Sequence, residues 1–206
     1  MTLPHSDSRD VGPTAVLIPL RSLREGKLRL SDDYDVEQRA LLIETMANLV
    51  LLSAHDLDVL VVHDDSAVDR WAQERGATTL RPTAPGLNRA VTEGRDHLRA
   101  MGFARVIVAH ADLPFADDIR RIDPGVGIAL VPDRHGDGTN VLCVPTDLEF
   151  TFAYGPGSFQ SHLDISNDLG FEPTIIEDPA FAWDVDHPDD LLGSTLLQQH
   201  STETSP

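Results

Sequence analysis

The chain is poor in several residue types, and each shortage closes off a class of protein. Its 206 residues include one cysteine, Cys143, so no internal disulfide framework can form. No apolar run approaches the roughly 20 residues that a membrane-spanning helix needs. The first ten residues, MTLPHSDSRD, are polar and acidic, unlike a secretion signal. Together these features lead us to expect a cytoplasmic protein. Nine histidines are present, yet none falls in an HExxH or comparable ligand spacing, so zinc is not indicated. No Walker A loop, Ser-His-acid arrangement, internal repeat or low-complexity linker is found. Hydrophobic and charged contents of 41% and 24% are ordinary for one globular domain with a full core.

Positive charge is the other shortage. The formal net charge is -18, and such a surface repels nucleic acid and anionic membranes. It also repels a nucleoside triphosphate, unless a basic region or metal ions offset the field. Of the 16 basic residues only Lys27 is a lysine. Four of the 16 (Arg21, Arg24, Lys27 and Arg29) lie within nine residues, opposed only by Glu25. This island follows the first apolar run directly. It reads either as a solvated loop or as a phosphate-binding loop.

Apolar runs at 14–20, 58–63, 77–81, 105–110, 126–131, 140–145, 173–177 and 181–186 predict strands. Several are continuous and β-branched, as in a parallel sheet covered on both faces. Helical spacing predicts helices over 35–54, 66–75, 87–101, 157–169 and 188–198. Asp65 is the expected N-cap of the second, and Gly102 and Gly170 the expected stops of the third and fourth. The alternation predicts one doubly wound α/β domain over 14–198, with disordered tails at 1–13 and 199–206. Ligands of such sheets bind beyond the carboxyl ends of the strands.

Six segments carry polar residues at such positions. IPLRSLREGKLRL supplies Gly26, Lys27 and Arg29, suited to gripping phosphate. PGLNRAV places Asn88 in a first helical turn, where it could read a base edge or serve as part of a cap. HADLPF sets Asp112 at a strand end, as a ligand for Mg²⁺ or as an N-cap. VPDRHGDGTN offers an anion nest with Thr139, or a plain hairpin turn. YGPGSF brings Gly155, Gly157 and Ser158 to a helix start. WDVDHPDDL, read as a strand, puts Asp184 and Asp186 on one face. His110 and His187 are expected only to pack or hydrogen-bond, and Cys143 to be a buried small hydrophobe.

Taken in order, these motifs resemble the phosphoenolpyruvate and 2-phospho-L-lactate guanylyltransferases of coenzyme F-420 biosynthesis. That family lies within the molybdenum-cofactor-guanylyltransferase-like nucleotidyltransferases. The resemblance covers about residues 14–192, and DRHGDGTN and GPGSF are its most specific parts. It implies a single-domain, Rossmann-like, glycosyltransferase-A-like fold with a mostly parallel mixed sheet. It implies that Leu17, Pro19, Lys27, Arg29, Gly86, Leu87 and Asn88 hold GTP, and that Lys27, Arg29 and Asp112 are catalytic. Asp112 would bind Mg²⁺ with Asp184 or Asp186, and Thr139, Gly155 and Ser158 would hold the phospho-acid. The sequence departs from the family at Leu28, where a small or hydroxyl residue is common, and at His110, where a small residue or proline is usual. Bacterial members lean to phosphoenolpyruvate, with 2-phospholactate as the alternative acceptor and a downstream transferase receiving the product. Guanylyl or cytidylyl transfer to a pterin or sugar phosphate, and a catalytically silent nucleotide-binding regulator, are the other readings of the same fold.

Overall fold

The computed structural model describes residues 12–24 and 26–191. Residues 1–11 and 199–206 of the expected tails lie outside these residues, as does the 192–198 part of the last expected helix. The described chain forms one seven-stranded sheet. Its strands are β1 (Thr14–Pro19), β2 (Asp58–Val62), β3 (Thr78–Leu80), β4 (Arg105–Ala109), β5 (Ala129–Pro132), β6 (Thr139–Pro145) and β7 (Thr174–Ile175). Their spatial order is β3-β2-β1-β4-β6-β5-β7. β1, β2, β3 and β4 run parallel, whereas β6 is antiparallel to both β4 and β5. The order reverses between β1 and β4, so a crevice opens beyond their carboxyl ends. Because β6 is reversed, the turn joining it to β5 lies at that same rim.

Among the described residues five helices cover the sheet: α1 (Val36–Ser53), α2 (Ser66–Glu74), α3 (Leu87–Ala100), α4 (Ser158–Asp168) and the short α5 (Pro179–Ala182). Period-two alternation sends Val16 and Ile18 of β1 to one face, against Ile43 and Val50 of α1 and Trp71 of α2. Ala15 and Leu17 go to the other face, against Val91 and Leu98 of α3 and the ring of Phe152. Both faces are therefore buried, which is why the strands read as unbroken apolar runs. α1 begins at a capping box: Asp35 accepts from the Gln38 N–H at 2.8 Å, and the Gln38 side chain accepts from the Asp35 N–H at 2.9 Å. Asp65 caps α2 as expected, and Gly102 follows the end of α3 with a φ of +95°.

The expected strand at 181–186 does not form. Asp178 accepts from the Ala180 N–H and Pro179 occupies the first turn, so the chain there enters α5 instead. The stretch after α5 is extended but bonds to loops rather than to a strand: the Val185 N–H donates to the Asp112 carbonyl. Asp184 and Asp186 are thus placed by a loop, not by strand alternation. The helix expected from 188 is, over the described residues, a 3₁₀ turn at Pro188–Leu191. The helix expected soon after the basic island is preceded by a 3₁₀ turn at Leu28–Leu30. β5 starts at Ala129 rather than 126, because Gly125 and Gly127 both take positive φ and cannot extend the ladder.

Gly94 shows how tightly the layers meet. A Cβ there would fall 2.4 Å from Leu17 Cδ1 and 2.9 Å from Val62 Cγ2, so α3 lies directly on β1 and β2. Alanine at this helical position would gain about 1 kcal/mol in propensity but lose about 1–3 kcal/mol to overpacking. Chemical denaturation of Gly94→Ala is expected to show a net loss of stability, with an unchanged or raised midpoint contradicting this packing.

Candidate active site

The switch-point crevice has two lobes. One, of about 200 Å³, is lined by Gly26, Lys27, His110, Ala111 and Asp112, with Ile43 and Met46 behind them. The other, of about 340 Å³, is lined by Val62, His63, Asp64, Pro82, Pro85 and Gly86. Pro19, Leu20, Arg21 and Leu87 border both lobes. The strand-end rule therefore brings together residues from β1, β2 and β4.

Lys27 is the centre of the first lobe. Its ammonium donates to Asp112 Oδ2 at 2.5 Å and to Asp186 Oδ1 at 3.0 Å. Arg29 donates to the second oxygen of Asp186 at 3.2 Å. Lys27 adopts a left-handed backbone with a φ of 53°, rare for a residue other than glycine and costing on the order of 1–3 kcal/mol. That strain turns the side chain inward between the two carboxylates. Burial alone would lower its pKa, but Asp112 and Asp186 hold it above the ordinary lysine value. Burial likewise works against the ionised form of Asp112, and the Lys27 ammonium overrides it, keeping that carboxyl below the usual range. Asp184 goes the other way: burial and then the neighbouring Asp112 charge push its pKa up.

Asp112 is not an N-cap, since no helix begins at the residues after it. Its Oδ1 is buried and finds no hydrogen-bond partner. Among the described residues no three His, Cys, Asp or Glu side chains converge into a ready metal cage, and Lys27 stands between the acids instead. An unpartnered carboxylate oxygen beside two further acids still suits a hard divalent ion. Mg²⁺ needs only one or two protein carboxylates and completes its shell with water and phosphate.

Several expected binding residues also hold the framework. Asn88 clamps the Tyr154 backbone, accepting from its N–H at 2.7 Å and donating to its carbonyl at 3.2 Å. One donor and one acceptor site of its amide are thereby taken up, while Gly86 and Leu87 beside it line the second lobe. Leu17 is fully buried beneath α3, and Pro19 is the β1 residue that reaches the rim. Thr139 and Ser158 are buried against each other, the Thr139 N–H donating to Ser158 Oγ at 3.0 Å. His162 accepts from the Ala153 N–H at 3.0 Å through Nε2, so its Nδ1 carries the proton and donates to Thr139 Oγ1 at 2.9 Å. Gly155 lies exposed on the loop that this network braces. The expected anion nest at 133–138 is filled by its own side chain. Asp133 accepts from the N–H groups of His135, Asp137 and Gly138 at 2.8 to 3.0 Å.

Two features were not visible in the sequence. Asp190, in the first turn after Pro188, is 5% exposed and accepts from the N–H groups of Asp186 and His187. Arg134 donates to Asp190 and to the Asp184 carbonyl while lying over the Trp183 ring at 4.5 Å. These contacts fix the loop that carries Asp184 and Asp186. The second is a tilted aromatic contact in which the ring centres of His110 and Tyr154 lie 5.1 Å apart, His110 Nε2 and Tyr154 Oη both buried without partners.

Comparison with known proteins places this geometry. The sequence pattern of the family described as "Guanylyl transferase CofC like" matches residues 14–205. The chain belongs to this family. A phosphoenolpyruvate guanylyltransferase of Sphaerobacter thermophilus is 32% identical over 187 residues, covering 86% of this chain and 90% of the relative. One of Rubrobacter xylanophilus is 34% identical over 184 residues, covering 85% and 90%. Among solved structures, a nucleotidyl transferase from Methanothermobacter thermautotroptrophicus superposes with a TM-score of 0.62 at 17% identity, over 91% of this chain and 99% of that one. The α/β nucleotidyltransferase fold and the guanylyltransferase family expected from the motifs are thus established for this CofC-like chain.

The neutral His162 gives a pH test. Burial, and then the nearby His110, push its pKa down to about 4 from 6.5. The unfolded chain therefore binds more protons between those values, and stability rises with pH across that window. His162→Gln is expected to remove this part of the slope when melting temperature is followed from pH 4 to 6.5. An identical slope in both proteins would show that His162 does not titrate on unfolding.

Proposed function

We propose that the protein transfers GMP from GTP to phosphoenolpyruvate, giving enolpyruvyl-diphospho-guanosine and pyrophosphate for coenzyme F-420 biosynthesis. One observation carries the reading: a two-lobed cleft at the β1/β4 switch point ends at Lys27 and Asp112, and Lys27 is bonded in turn to Asp186. The relatives named above act on phosphoenolpyruvate by name, which supports that acceptor. 2-Phospholactate, a smaller chemical change, is the alternative. A product of this kind is a labile mixed diphosphate, suited to direct transfer to a downstream enzyme. The single buried cysteine, and the lack among the described residues of any helix long and apolar enough to cross a membrane, support a cytoplasmic setting.

An oxygen of the acceptor's phosphate attacks the α-phosphorus of GTP in line, and pyrophosphate departs with the P–O electron pair. Such a phosphate is already a nucleophile near neutral pH, so no general base is required. Catalysis is then positioning plus charge stabilisation. The wider lobe and Leu87 seat the nucleoside, and Pro19 to Arg21 guide the phosphates toward Lys27. The Lys27 ammonium stays charged and faces the developing negative charge. Arg21 and Arg29, both largely exposed, offset the -18 field at the mouth. Asp112, with Asp184 or Asp186, would hold Mg²⁺. When bound, the ion supplies Lewis-acid stabilisation and screens the two anionic reactants from one another.

Pyrophosphate release should be measured with GTP, CTP and ATP against phosphoenolpyruvate and 2-phospholactate, with and without Mg²⁺. GTP with phosphoenolpyruvate is expected to turn over fastest and only with the metal present. No turnover with any pair would favour the silent regulator. Asp112→Asn is expected to lower kcat by about a hundredfold or more with the fold intact by circular dichroism. Undiminished turnover would remove Asp112 from the chemistry.

A further inference from the structure

The wider lobe has mostly apolar walls from Leu20, Val62, Pro82, Pro85, Leu87 and Ala90. Such a slot takes a flat ring but cannot by itself tell one base from another. Discrimination needs a polar group in a fixed position. The loop after β2 brings three polar residues, His63, Asp64 and Asp65, to this end of the sheet, and two of them are used by the framework. His63 is buried, its backbone N–H donating to the Leu80 carbonyl and its Nε2 lying 3.3 Å from Asp69, and its Nδ1, buried without a partner, is a single atom that cannot match a pair of donors. Asp65 caps α2 through the Ala67 N–H at 2.8 Å and accepts from Ser22 Oγ at 2.9 Å.

Asp64 is different. It lines the lobe, its side chain is 44% exposed, and its nearest charge partner is Arg21 at a loose 3.7 Å. Its backbone is nonetheless pinned, because the Arg81 guanidinium donates to its carbonyl. With its neighbours on both sides fixed as well, the carboxylate projects from a rigid base and keeps its oxygens available.

We propose that Asp64 selects the base. Its two oxygens accept hydrogen bonds from guanine N1–H and from the guanine 2-amino group, a bidentate match of an acceptor pair to a donor pair. Adenine presents a lone pair at N1 and has no 2-amino group, so it meets the carboxylate with repulsion. Cytosine presents a lone pair at N3 and is penalised in the same way. Arg81 acts as a positioning residue through the Asp64 backbone. This inference rests on the guanine-nucleotide reading above and supplies its physical cause.

The test is calorimetric titration of the full chain with GTP, ITP and ATP. ITP keeps N1–H and lacks the 2-amino group. The wild type is expected to bind GTP most tightly, ITP next and ATP least. Asp64→Asn and Asp64→Ala should each weaken GTP binding by about ten- to hundredfold and, by removing the repulsion, tighten rather than weaken ATP binding, so that the preference collapses. The exposed position of Asp64 predicts unaltered melting temperatures, which are recorded alongside. GTP binding with an unchanged GTP-to-ATP ratio in both variants overturns the role of Asp64 alone. A wild type that binds no GTP overturns the guanine reading and this inference together.

Discussion

A single ammonium group organises the functional end of this molecule. Lys27 Nζ sits between Asp112 and Asp186, residues 85 and 159 positions away along the chain. A buried cation left alone would be costly, and so would the Asp112 carboxylate, so these two are stable only together, with the half-exposed Asp186 adding a second acceptor. The geometry is held from beneath by a small apolar cluster. Leu30, three residues after Lys27, packs with Leu42 and Met46 of α1 and with Val185 and Leu191 from the far end of the described chain. The same cluster that buries Leu30 therefore ties the loop carrying Lys27 to the segment carrying Asp186. Packing and electrostatics reinforce one arrangement here, and the left-handed backbone at Lys27 is tolerated because of it.

The two sides of the crevice are built differently. On the side of the wider lobe the rim is a set of strand ends with short loops, and its walls are mostly apolar. On the other side, α3, the loop at 152–157, β6 and α4 are joined by a chain of hydrogen bonds. It runs from Asn88 to the Tyr154 backbone, and from Ala153 through His162 and Thr139 to Ser158. Most of these atoms are shielded from water, where each bond is stronger and each missing partner more costly. His110 and Tyr154, whose rings meet at a tilt, each keep a buried polar atom, Nε2 and Oη, without a partner.

Much of the architecture was legible in the sequence because burial leaves a local signal. Val16 and Ile18 alternate with Leu17 whatever lies on either side, and Asp35, Asp65 and Gly102 act on atoms a few residues away. Asp112 was legible through its place at a strand end, and Lys27 through its place after the first strand. The roles of Asn88, Thr139 and Ser158 were not, since their partners Tyr154, His162 and each other are distant in sequence and a polar side chain looks the same whether it holds a ligand or a loop. The stretch at 181–186 has the apolar content of a strand, but Asp178 and Pro179 start a helix first. Asp190 and Arg134 gave no sign of their joint work, because a pair of opposite charges 56 residues apart carries no spacing pattern.

The turn between β5 and β6 closes a ring of amides on the Asp133 carboxylate, and that closure has a thermodynamic meaning. A loop whose donors await an incoming anion is floppy until it arrives, and association must then freeze it. Here the freezing is done during folding, inside the hairpin itself. The rim that Gly157 joins through Asp137 is therefore rigid in advance. Little disorder is left to be surrendered on this side of the crevice when a small molecule settles beside it.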